Sequence, residues 1–401
     1  MRQIYFLIIL ALAAFAAGAH EAPDTAPKPY PPAEVYTLAQ ARQLGMMPKG
    51  PATSSKATAG KAEAAAGTAT KAYGFGLKGY VSLSLSAPSK TTVEFDYSYN
   101  FSAGAKAGAY IYLVEYTIDK NGSMHPTYLV KSDVGKRTYS RVAALDYNGP
   151  NVQDMAYSES TGTMYCLGSH YVSEGGITVA KQALYTIDLA SGKMTMVGDD
   201  LSSKFMSLAA NRAGLLYAVE KTGQLSTIDP ITGYVAKVGS SVLTKTANYI
   251  SGMDMDCDNN QLYWPLCDSN GYSYLVKIDP SSGAGKVIGR IGTSEEELVG
   301  FNVERYQPGD DAPAKVAGLT FTPGASGALS GEAQWTNPSA TVGGSALKSI
   351  SKAEVYLNGN LYKEVAVTPG AKSTVQLDGL ANSYNRVAVV AYNGESKSET
   401  A

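Results

Sequence analysis

The chain has no dominant sign of charge. Its 33 Lys and Arg residues are balanced by 35 Asp and Glu residues, so the formal net charge is −2, and only 17% of the 401 residues are charged. A protein that binds nucleic acid through its phosphates needs a basic patch, which this composition does not supply. The sequence therefore predicts no nucleic-acid partner.

Cysteine is also scarce. There are three cysteines, namely Cys166, Cys257 and Cys267. A tight turn at Asn259-Asn260 would place Cys257 opposite Leu262, which argues against a bridge from Cys257 to Cys267. We expect all three to be small buried apolar residues, and an odd number leaves at least one free thiol.

Histidines are also few, and common catalytic sequence motifs are absent. Two histidines, His125 and His170, fall in the region of predicted strands, far apart and in presumed loops. A zinc site needs three or four His, Cys or acidic ligands, and neither G-x-S-x-G nor a P-loop occurs. The sequence therefore favours a protein that is not an enzyme. It predicts no cofactor, with calcium as the alternative.

Long apolar runs are absent beyond the N-terminus. Residues 1–19 combine Arg2, an apolar stretch over 4–16 and the small residues Ala17-Gly18-Ala19, which is the pattern of a secretory signal peptide. The stretch is too short for a firm membrane anchor. We therefore predict an exported protein, secreted or at the cell surface, with no membrane span.

Bulky apolar residues are almost absent again from residues 48–71, which are mostly Ala, Thr, Lys, Gly and Pro. Residues 20–47 before them are rich in proline and then weakly helical over 33–45. The composition of 48–71 cannot bury a core, so the sequence predicts a low-complexity linker over 20–71.

A repeated hairpin is the strongest signal in the sequence. It occurs three times, as ALYTIDLASGKMTMVG (183–198), QLSTIDPITGYVAKVG (224–239) and YLVKIDPSSGAGKVIG (274–289). In the middle copy, alternating residues before Asp229 predict a strand. The Asp side chain can accept hydrogen bonds from amides just downstream, and Gly233 tolerates a positive φ. Each copy is therefore predicted to be a β-hairpin.

A second repeat precedes each hairpin. The segments DMAYSESTGTMY (154–165), MSLAANRAGLLY (206–217) and GMDMDCDNNQLY (252–263) align without gaps. Two hairpins give four strands in about 40–50 residues, which is typical of a β-propeller blade. The alternative is a set of unrelated hairpins in a sandwich. We predict a β-propeller-like repeat domain over residues 72–306 with about five blades, in which residues 298–303 complete the first blade and close the ring.

The C-terminal part has a different pattern of predicted strands and turns. After a linker at 307–313, residues 314–401 contain short alternating strands, which predicts a β-sandwich. This part resembles a fibronectin type III domain, because Trp335 followed by Pro338 matches the end of the second strand and VAVVAYNGES (387–396) matches the sixth strand and its turn. The family's corner tyrosine falls at Asn385, one place after Tyr384, and the chain stops where the last strand should be under way.

The arrangement of the whole chain also resembles known proteins. Secreted and surface proteins of Bacteroidetes-type bacteria join a signal peptide, propeller-like repeats and this style of fibronectin domain. The expected fold class is all-β, with a β-propeller followed by a fibronectin type III-like sandwich.

Acidic residues supply the weak metal candidates. Asp254, Asp256 and Asp258 begin like a calcium loop, but Asn259 and Pro265 stand where such a loop needs Gly and an acidic residue. An ordinary strand-turn is the alternative. Asp154 and Asp254 should lie on innermost strands, yet at different positions of the repeat, which favours local hydrogen bonding over a catalytic pair.

Insertions between the repeats are better candidates for function. An eleven-residue insertion in the first copy lies around 168–181, and a four-residue one in the third lies around 265–273. Loops here should project from one face and could bind a glycan or a peptide. The candidate ligand-binding residues are His170, Tyr171, Trp264 and Tyr272.

Three hypotheses for function follow. The first is a secreted or surface-associated binding or adhesion protein whose propeller recognises an extracellular glycan or protein, with the fibronectin-like domain as a spacer. The second is a propeller-type hydrolase or lyase that acts on carbohydrate. The third is a structural surface component.

Overall fold

The structure is a computed structural model that describes residues 71–97, 100–120, 122–240, 243–357, 360–380 and 385–401. The predicted signal peptide, almost all of the predicted linker at 20–71, and Tyr384, one place before the expected corner position at Asn385, lie outside these ranges. The described residues form strands and turns without any helix, so the prediction of an all-β chain is confirmed. It follows that no helix among them is long and apolar enough to cross a membrane.

Twenty strands lie between residues 71 and 303. In chain order they are β1 (Lys71–Gly76), β2 (Gly79–Ser84), β3 (Thr91–Phe95), β4 (Phe101–Ala107), β5 (Tyr110–Ile118), β6 (Met124–Asp133), β7 (Thr138–Ala144), β8 (Asn151–Ser158), β9 (Thr163–Glu174), β10 (Ile177–Ile187), β11 (Met194–Asp200), β12 (Phe205–Ala210), β13 (Leu216–Glu220), β14 (Gln224–Ile228), β15 (Val235–Ser240), β16 (Asp254–Asp256), β17 (Gln261–Cys267), β18 (Ser273–Ile278), β19 (Gly285–Arg290) and β20 (Val299–Val303).

These strands form five four-stranded antiparallel sheets in the described ranges. Sheet 1 has the order β20-β1-β2-β3, and sheets 2 to 5 are β4-β5-β6-β7, β8-β9-β10-β11, β12-β13-β14-β15 and β16-β17-β18-β19. The predicted pairing of the last strand with the first is confirmed, because β20 pairs with β1 through Ala72 and Val303. The first strand in each order contacts its counterparts in the two neighbouring sheets, so β20, β4, β8, β12 and β16 form a closed cycle.

The hydrophobic core lies between consecutive sheets. Each of the five sheet–sheet interfaces among the described residues has its own cluster of buried side chains. Between sheets 1 and 2 the cluster is aromatic, with Phe75, Tyr80 and Phe101 buried. Small residues sit near the axis, where Gly104 and Gly300 let the backbones of β4 and β20 approach closely. This packing explains why each sheet needs its neighbours to bury both faces.

The repeated turns have the predicted geometry. In the middle copy, Asp229 Oδ1 accepts hydrogen bonds from the backbone amides of Ile231 at 2.9 Å and Thr232 at 2.8 Å. Gly233 closes the turn with φ 73°. These bonds with Thr232 and Ile231 lower the pKa of Asp229.

The remaining strands form two further sheets. They are β21 (Ala317–Pro323), β22 (Ser330–Thr336), β23 (Lys352–Leu357), β24 (Asn360–Val365), β25 (Lys372–Asp378), β26 (Val387–Asn393) and β27 (Ser396–Lys397). One sheet has the order β21-β22-β25 and the other β24-β23-β26-β27. A single buried cluster around Trp335 lies between them. Part of the segment predicted as a linker pairs with this unit, since the carbonyl oxygen of Asp310 accepts a hydrogen bond from the amide of Gly343 at 2.8 Å.

Candidate functional site

The insertion in the first repeat lengthens two strands instead of forming a loop. His170 and Tyr171 lie in β9, opposite Lys181 and Ala180 of β10, which corrects the expectation that they lie in a loop. The structure places the turn of this long hairpin at Gly175-Gly176, both with positive φ. His170 is held by neighbours on both ring nitrogens, with Tyr185 Oη 2.9 Å from Nδ1 and Asp200 Oδ1 3.2 Å from Nε2.

The two candidates from the third repeat have different surroundings. Trp264 lies in β17 with 0% of its surface exposed, within the core between sheets 4 and 5. A buried side chain cannot contact a ligand, so Trp264 is removed from the candidate surface. Tyr272 is half-buried in the β17–β18 loop, where the Arg290 guanidinium lies 3.7 Å from its ring centroid. The four residues belong to sheets 3 and 5 and do not form one cluster.

The three acidic candidates for calcium point to different partners. Asp254 Oδ2 accepts a hydrogen bond from the amide of Val303 at 2.8 Å. Asp256 is buried and accepts from the amides of Asp258 and Asn259, as a turn residue does. Burial raises the pKa of Asp254 and of Asp256. Across the described ranges no three His, Cys, Asp or Glu side chains are grouped so that they could hold a metal ion.

The contacts of Asp154 are likewise those of a structural residue. It is buried in β8, and its Oδ2 accepts hydrogen bonds from the amides of Leu208 at 2.7 Å and Met253 at 3.2 Å. Leu208 lies in β12 of sheet 4, and Met253 immediately precedes β16 of sheet 5. Burial raises the pKa of Asp154 well above its usual range, although the backbone donors oppose this shift.

The remaining histidine and the cysteines are buried. His125 lies in β6 rather than in the expected loop, and its ring stacks on Tyr147 with centroids 4.0 Å apart. All three cysteines are free and buried, as predicted. The register differs from the prediction, because Met255 faces Leu262 and Cys257 lies in a four-residue turn.

A cavity of ≈590 Å³ lies between sheets 1 and 2, and its lining includes residues of the β4–β5, β6–β7 and β8–β9 turns. Fourteen residues line it, namely Tyr73, Tyr80, Glu94, Phe95, Lys106, Gly108, Val134, Gly135, Arg137, Glu159, Asn302, Glu304, Arg305 and Gln307. Its size falls within the range of about 300–1,000 Å³ found for small-molecule sites. We therefore take this cavity as the candidate site.

Sheet 1 supplies an aromatic and acidic wall. The rings of Tyr73 and Tyr80 are stacked with centroids 5.8 Å apart, and Tyr80 stacks in turn on Phe95 at 5.1 Å. Glu94 accepts a hydrogen bond from Ser82 Oγ at 2.6 Å, and the Tyr73 hydroxyl donates to Glu304 at 3.4 Å. Burial raises the pKa of Tyr73, and the charge of Glu304 adds to the shift, so its hydroxyl remains a donor at neutral pH.

Sheet 2 supplies a basic wall. Lys106 is the one charged residue of β4 and its side chain is exposed. Arg137 is also exposed, in the turn between β6 and β7. Its φ of 55° lies in the left-handed region, which side-chain-bearing residues seldom adopt.

The end of the cavity near the axis is an ion-pair network. Arg305 Nη2 lies 3.6 Å from Glu159 Oε1, and its Nη1 donates to the carbonyl oxygen of Met255 at 3.3 Å. Burial acts to lower the pKa of Arg305, but Asp254 first, then Cys257 and Glu159, outweigh it and raise the pKa. Arg305 therefore stays charged and holds the Glu159 carboxylate at the cavity wall.

The same network continues into the contact with the C-terminal sheets. Arg212 lies 3.9 Å from Glu159 and donates to the carbonyl oxygen of Thr400 at 2.5 Å. Arg212 also pairs with Asp258 at 3.3 Å, and the Thr400 hydroxyl donates to Asp258 at 3.0 Å. A second contact joins Arg386, whose guanidinium is buried, to the carbonyl oxygen of Cys257 at 2.7 Å.

Sequence reasoning missed the cavity, although one signal was available. The gapless alignment of 154–165, 206–217 and 252–263 puts Arg212 and Asp258 in one column and Glu159 in the column before it. All three positions are turns between the first and second strands of their sheets. Alternating charge at equivalent turns of a closed ring predicts that the side chains converge on one face.

Comparisons with known proteins add little. No protein-family model matches the chain, and no curated protein matches its sequence significantly. Among solved structures it is similar to TolB from Acinetobacter baumannii, at 10% identity and a TM-score of 0.33, over 77% of this chain and 67% of that one. It is also similar to the extracellular domain of the putative one component system BT4673 from B. thetaiotaomicron, at 13% identity and a TM-score of 0.30. That match covers 69% of this chain and 32% of the other, so the chain spans about a third of that protein's length.

Proposed function

We propose that the chain is a secreted or surface-associated binding protein that recognises an extracellular glycan in the cavity between sheets 1 and 2. In this proposal residues 72–306 form a five-bladed β-propeller. Residues 314–401 form a fibronectin type III-like sandwich that serves as a spacer or interaction module. Export rests on the sequence pattern of residues 1–19.

Two features support the proposed architecture. The closed cycle of first strands and the pairing of β20 with β1 are what a propeller needs to join its ends. The C-terminal sheets have three and four strands around a buried Trp335, which fits a seven-stranded sandwich.

The observation that carries the proposed activity is the mixed lining of the cavity. The half-buried ring of Tyr73, which stacks on the buried Tyr80, stands on one wall, and charged side chains stand on both. Sugar rings offer flat C–H faces that pack on aromatic rings, and hydroxyl groups that hydrogen-bond to carboxylates and cations. The cavity presents each of these complements within one concave site.

The test is a binding screen of residues 20–401 against arrays of glycans and extracellular-matrix proteins, run with calcium and with a chelator. We expect a saturable glycan ligand whose binding is lost in Lys106→Gln and Glu304→Gln. The control is Tyr171→Ala, which changes the long hairpin and should leave binding intact.

Two outcomes would overturn the proposal. Loss of binding in Tyr171→Ala but not in the cavity variants would place the ligand on the hairpin. Recovery of a cleaved glycan by mass spectrometry would favour the carbohydrate-degrading enzyme instead.

A further inference from the structure

We propose that the ligand of this cavity is an acidic sugar, a uronic or sialic acid, whose carboxylate binds between Lys106 and Arg137. The inference rests on the proposed function and adds the chemical class of the ligand.

Several charged groups of the cavity lining already have partners within the fold. Glu159 lies beside Arg305 at 3.6 Å, while Glu94 and Glu304 accept hydrogen bonds from hydroxyl groups. By contrast, the side chains of Lys106 and Arg137 form no hydrogen bond or ion pair with any residue of the described ranges. The charge of Lys106 acts on Asp254 only at longer range. The cavity therefore offers two cations for an anionic group from outside.

The backbone of Arg137 provides an independent observation. Its φ is 55°, and its amide donates to the carbonyl oxygen of Val134 at 3.4 Å in the β6–β7 turn. Glycine adopts this conformation without steric cost, whereas arginine adopts it only at a cost in free energy. A strained residue that lines a cavity is more simply explained by a use for its side chain than by the turn.

The net charge of the lining does not suit a polyanion. The lining contains three cations (Lys106, Arg137 and Arg305) and three carboxylates (Glu94, Glu159 and Glu304), so its formal charges cancel. A phosphate-rich or densely sulfated chain would bring several negative charges against these carboxylates. A ligand with one carboxylate and several hydroxyls matches both walls, because its carboxylate meets the cations and its hydroxyls donate to Glu94 and Glu304.

The experiment uses ligands that differ only in charge. Residues 20–401 are titrated by calorimetry with trisaccharides of uronic acid and with sialyllactose. Matched neutral probes are the methyl esters of the uronic-acid trisaccharides and of sialyllactose. We expect the acids to bind at least about tenfold more tightly than the neutral probes, since a charged hydrogen bond is lost with the carboxylate.

Arg137→Gly supplies the matching protein variant. It removes the guanidinium and the backbone strain of a side-chain-bearing residue at positive φ. The variant should therefore be as stable as the parent or more stable. We expect it to weaken the acids about tenfold and to leave the neutral probes unchanged. The control is Lys136→Gln in the same turn, which removes the same charge from a residue that does not line the cavity and should leave both affinities unchanged.

The outcomes separate this inference from the proposed function. Equal binding of acids and neutral probes overturns the acidic class but keeps a glycan site. Tighter binding of an acidic peptide of similar charge, Glu-Glu-Glu, overturns the sugar class. Binding of acids that Arg137→Gly does not change places the carboxylate elsewhere. No binding of any probe, together with silence on the glycan array, overturns the proposed function itself.

Discussion

A Cβ atom on Gly283 would lie 2.6 Å from the carbonyl oxygen of Gly239, closer than side chains are found in folded proteins. Gly239 is the second glycine of one hairpin repeat and Gly283 is the first glycine of the next. The same relationship recurs one sheet earlier, where Gly233 approaches the carbonyl oxygen of Val197. The two glycines of the repeat therefore let the outer strand of one sheet contact the turn of the following sheet.

This contact predicts that Gly233→Ala is strongly destabilising. The new methyl group would lie 2.7 Å from the carbonyl oxygen of Val197, and φ at this position is 73°. We expect a loss of about 1–2 kcal/mol from the left-handed backbone and about 1–3 kcal/mol more from overpacking. Urea denaturation measures the sum.

Gly175→Ala is the matched control for this prediction. Gly175 also has a positive φ, 58°, but a Cβ there would have nothing within 4 Å. It should lose only the backbone part. Equal losses in the two variants would show that the contact between sheets contributes nothing.

The hydrogen bonds of Asp154 predict a second large effect. In Asp154→Ala the buried amides of Leu208 and Met253 lose their carboxylate acceptor. Each unsatisfied buried group costs about 1–3 kcal/mol, so a loss of roughly 2–6 kcal/mol in the free energy of unfolding is expected. Asp154→Asn keeps one carbonyl acceptor and should lose less. A smaller loss in the Ala variant than in the Asn variant would contradict this role.

The turn of the repeat predicts a dependence on pH. Backbone amides of Thr232 and Ile231 lower the pKa of Asp229, so the folded-state value lies below the unfolded value of about 3.9. The carboxylate therefore stabilises the fold above that pH, and this stabilisation is lost as the pH falls through the folded-state value.

Asp229→Asn tests this directly. The variant should be less stable than the parent at pH 7, and the difference should shrink toward pH 3. The control is Asp199→Asn, which removes one exposed carboxylate of β11 without touching a repeated turn. A difference for Asp229→Asn that stayed constant from pH 7 to pH 3 would rule out the turn hydrogen bonds as its cause.

The local structure of the repeats could be predicted from the sequence, because it depends on residues close together in the chain. The Asp229 turn and the positive φ of Gly233 follow from side-chain chemistry within five residues. Trp264 was misplaced although a signal existed, since Leu262, Trp264 and Leu266 alternate as buried strand residues do. The β-branched residues Ile177, Thr178 and Val179 gave a similar signal for the strand that extends the long hairpin.

The cavity could not be predicted in the same way. Tyr73, Lys106 and Arg137 are brought together only by the packing of sheet 1 on sheet 2. Strand periodicity says which face a residue occupies but not which residue of another sheet it meets. The contact of the second glycines with the next sheet was missed for the same reason, since it depends on how consecutive sheets are placed.

The burial of Trp264 predicts how it responds to truncation. Its side chain fills the core between sheets 4 and 5, and its indole N–H has no hydrogen-bond partner within the described part of the chain. Trp264→Ala should cost about 3–5 kcal/mol through the cavity it leaves. Trp264→Phe should cost clearly less, because no hydrogen bond is lost. Similar losses in both variants, measured by urea denaturation, would mean that the indole ring itself is essential.

The two tryptophans also make it possible to test the contact between the ring of sheets 1 to 5 (the sheet ring) and the two C-terminal sheets. The chain has 2 Trp residues, and each is buried in a different core, Trp264 in the ring and Trp335 between the C-terminal sheets. Trp335→Phe and Trp264→Phe therefore leave one fluorescent reporter in each part.

The buried Arg386 guanidinium donates to the carbonyl oxygen of Cys257 across the contact. Because Arg386→Ala leaves this buried carbonyl without its charged donor, we expect a loss of about 1.5–3 kcal/mol of coupling. The two reporters should then unfold at separate urea concentrations, and the radius of gyration should rise.

Lys363→Ala, on the exposed strand β24, is the control and should keep the parent behaviour. Separate transitions already in the parent would show that the contact does not couple the two parts. Coincident transitions in Arg386→Ala would assign the coupling to Arg212 and its bond to Thr400 instead.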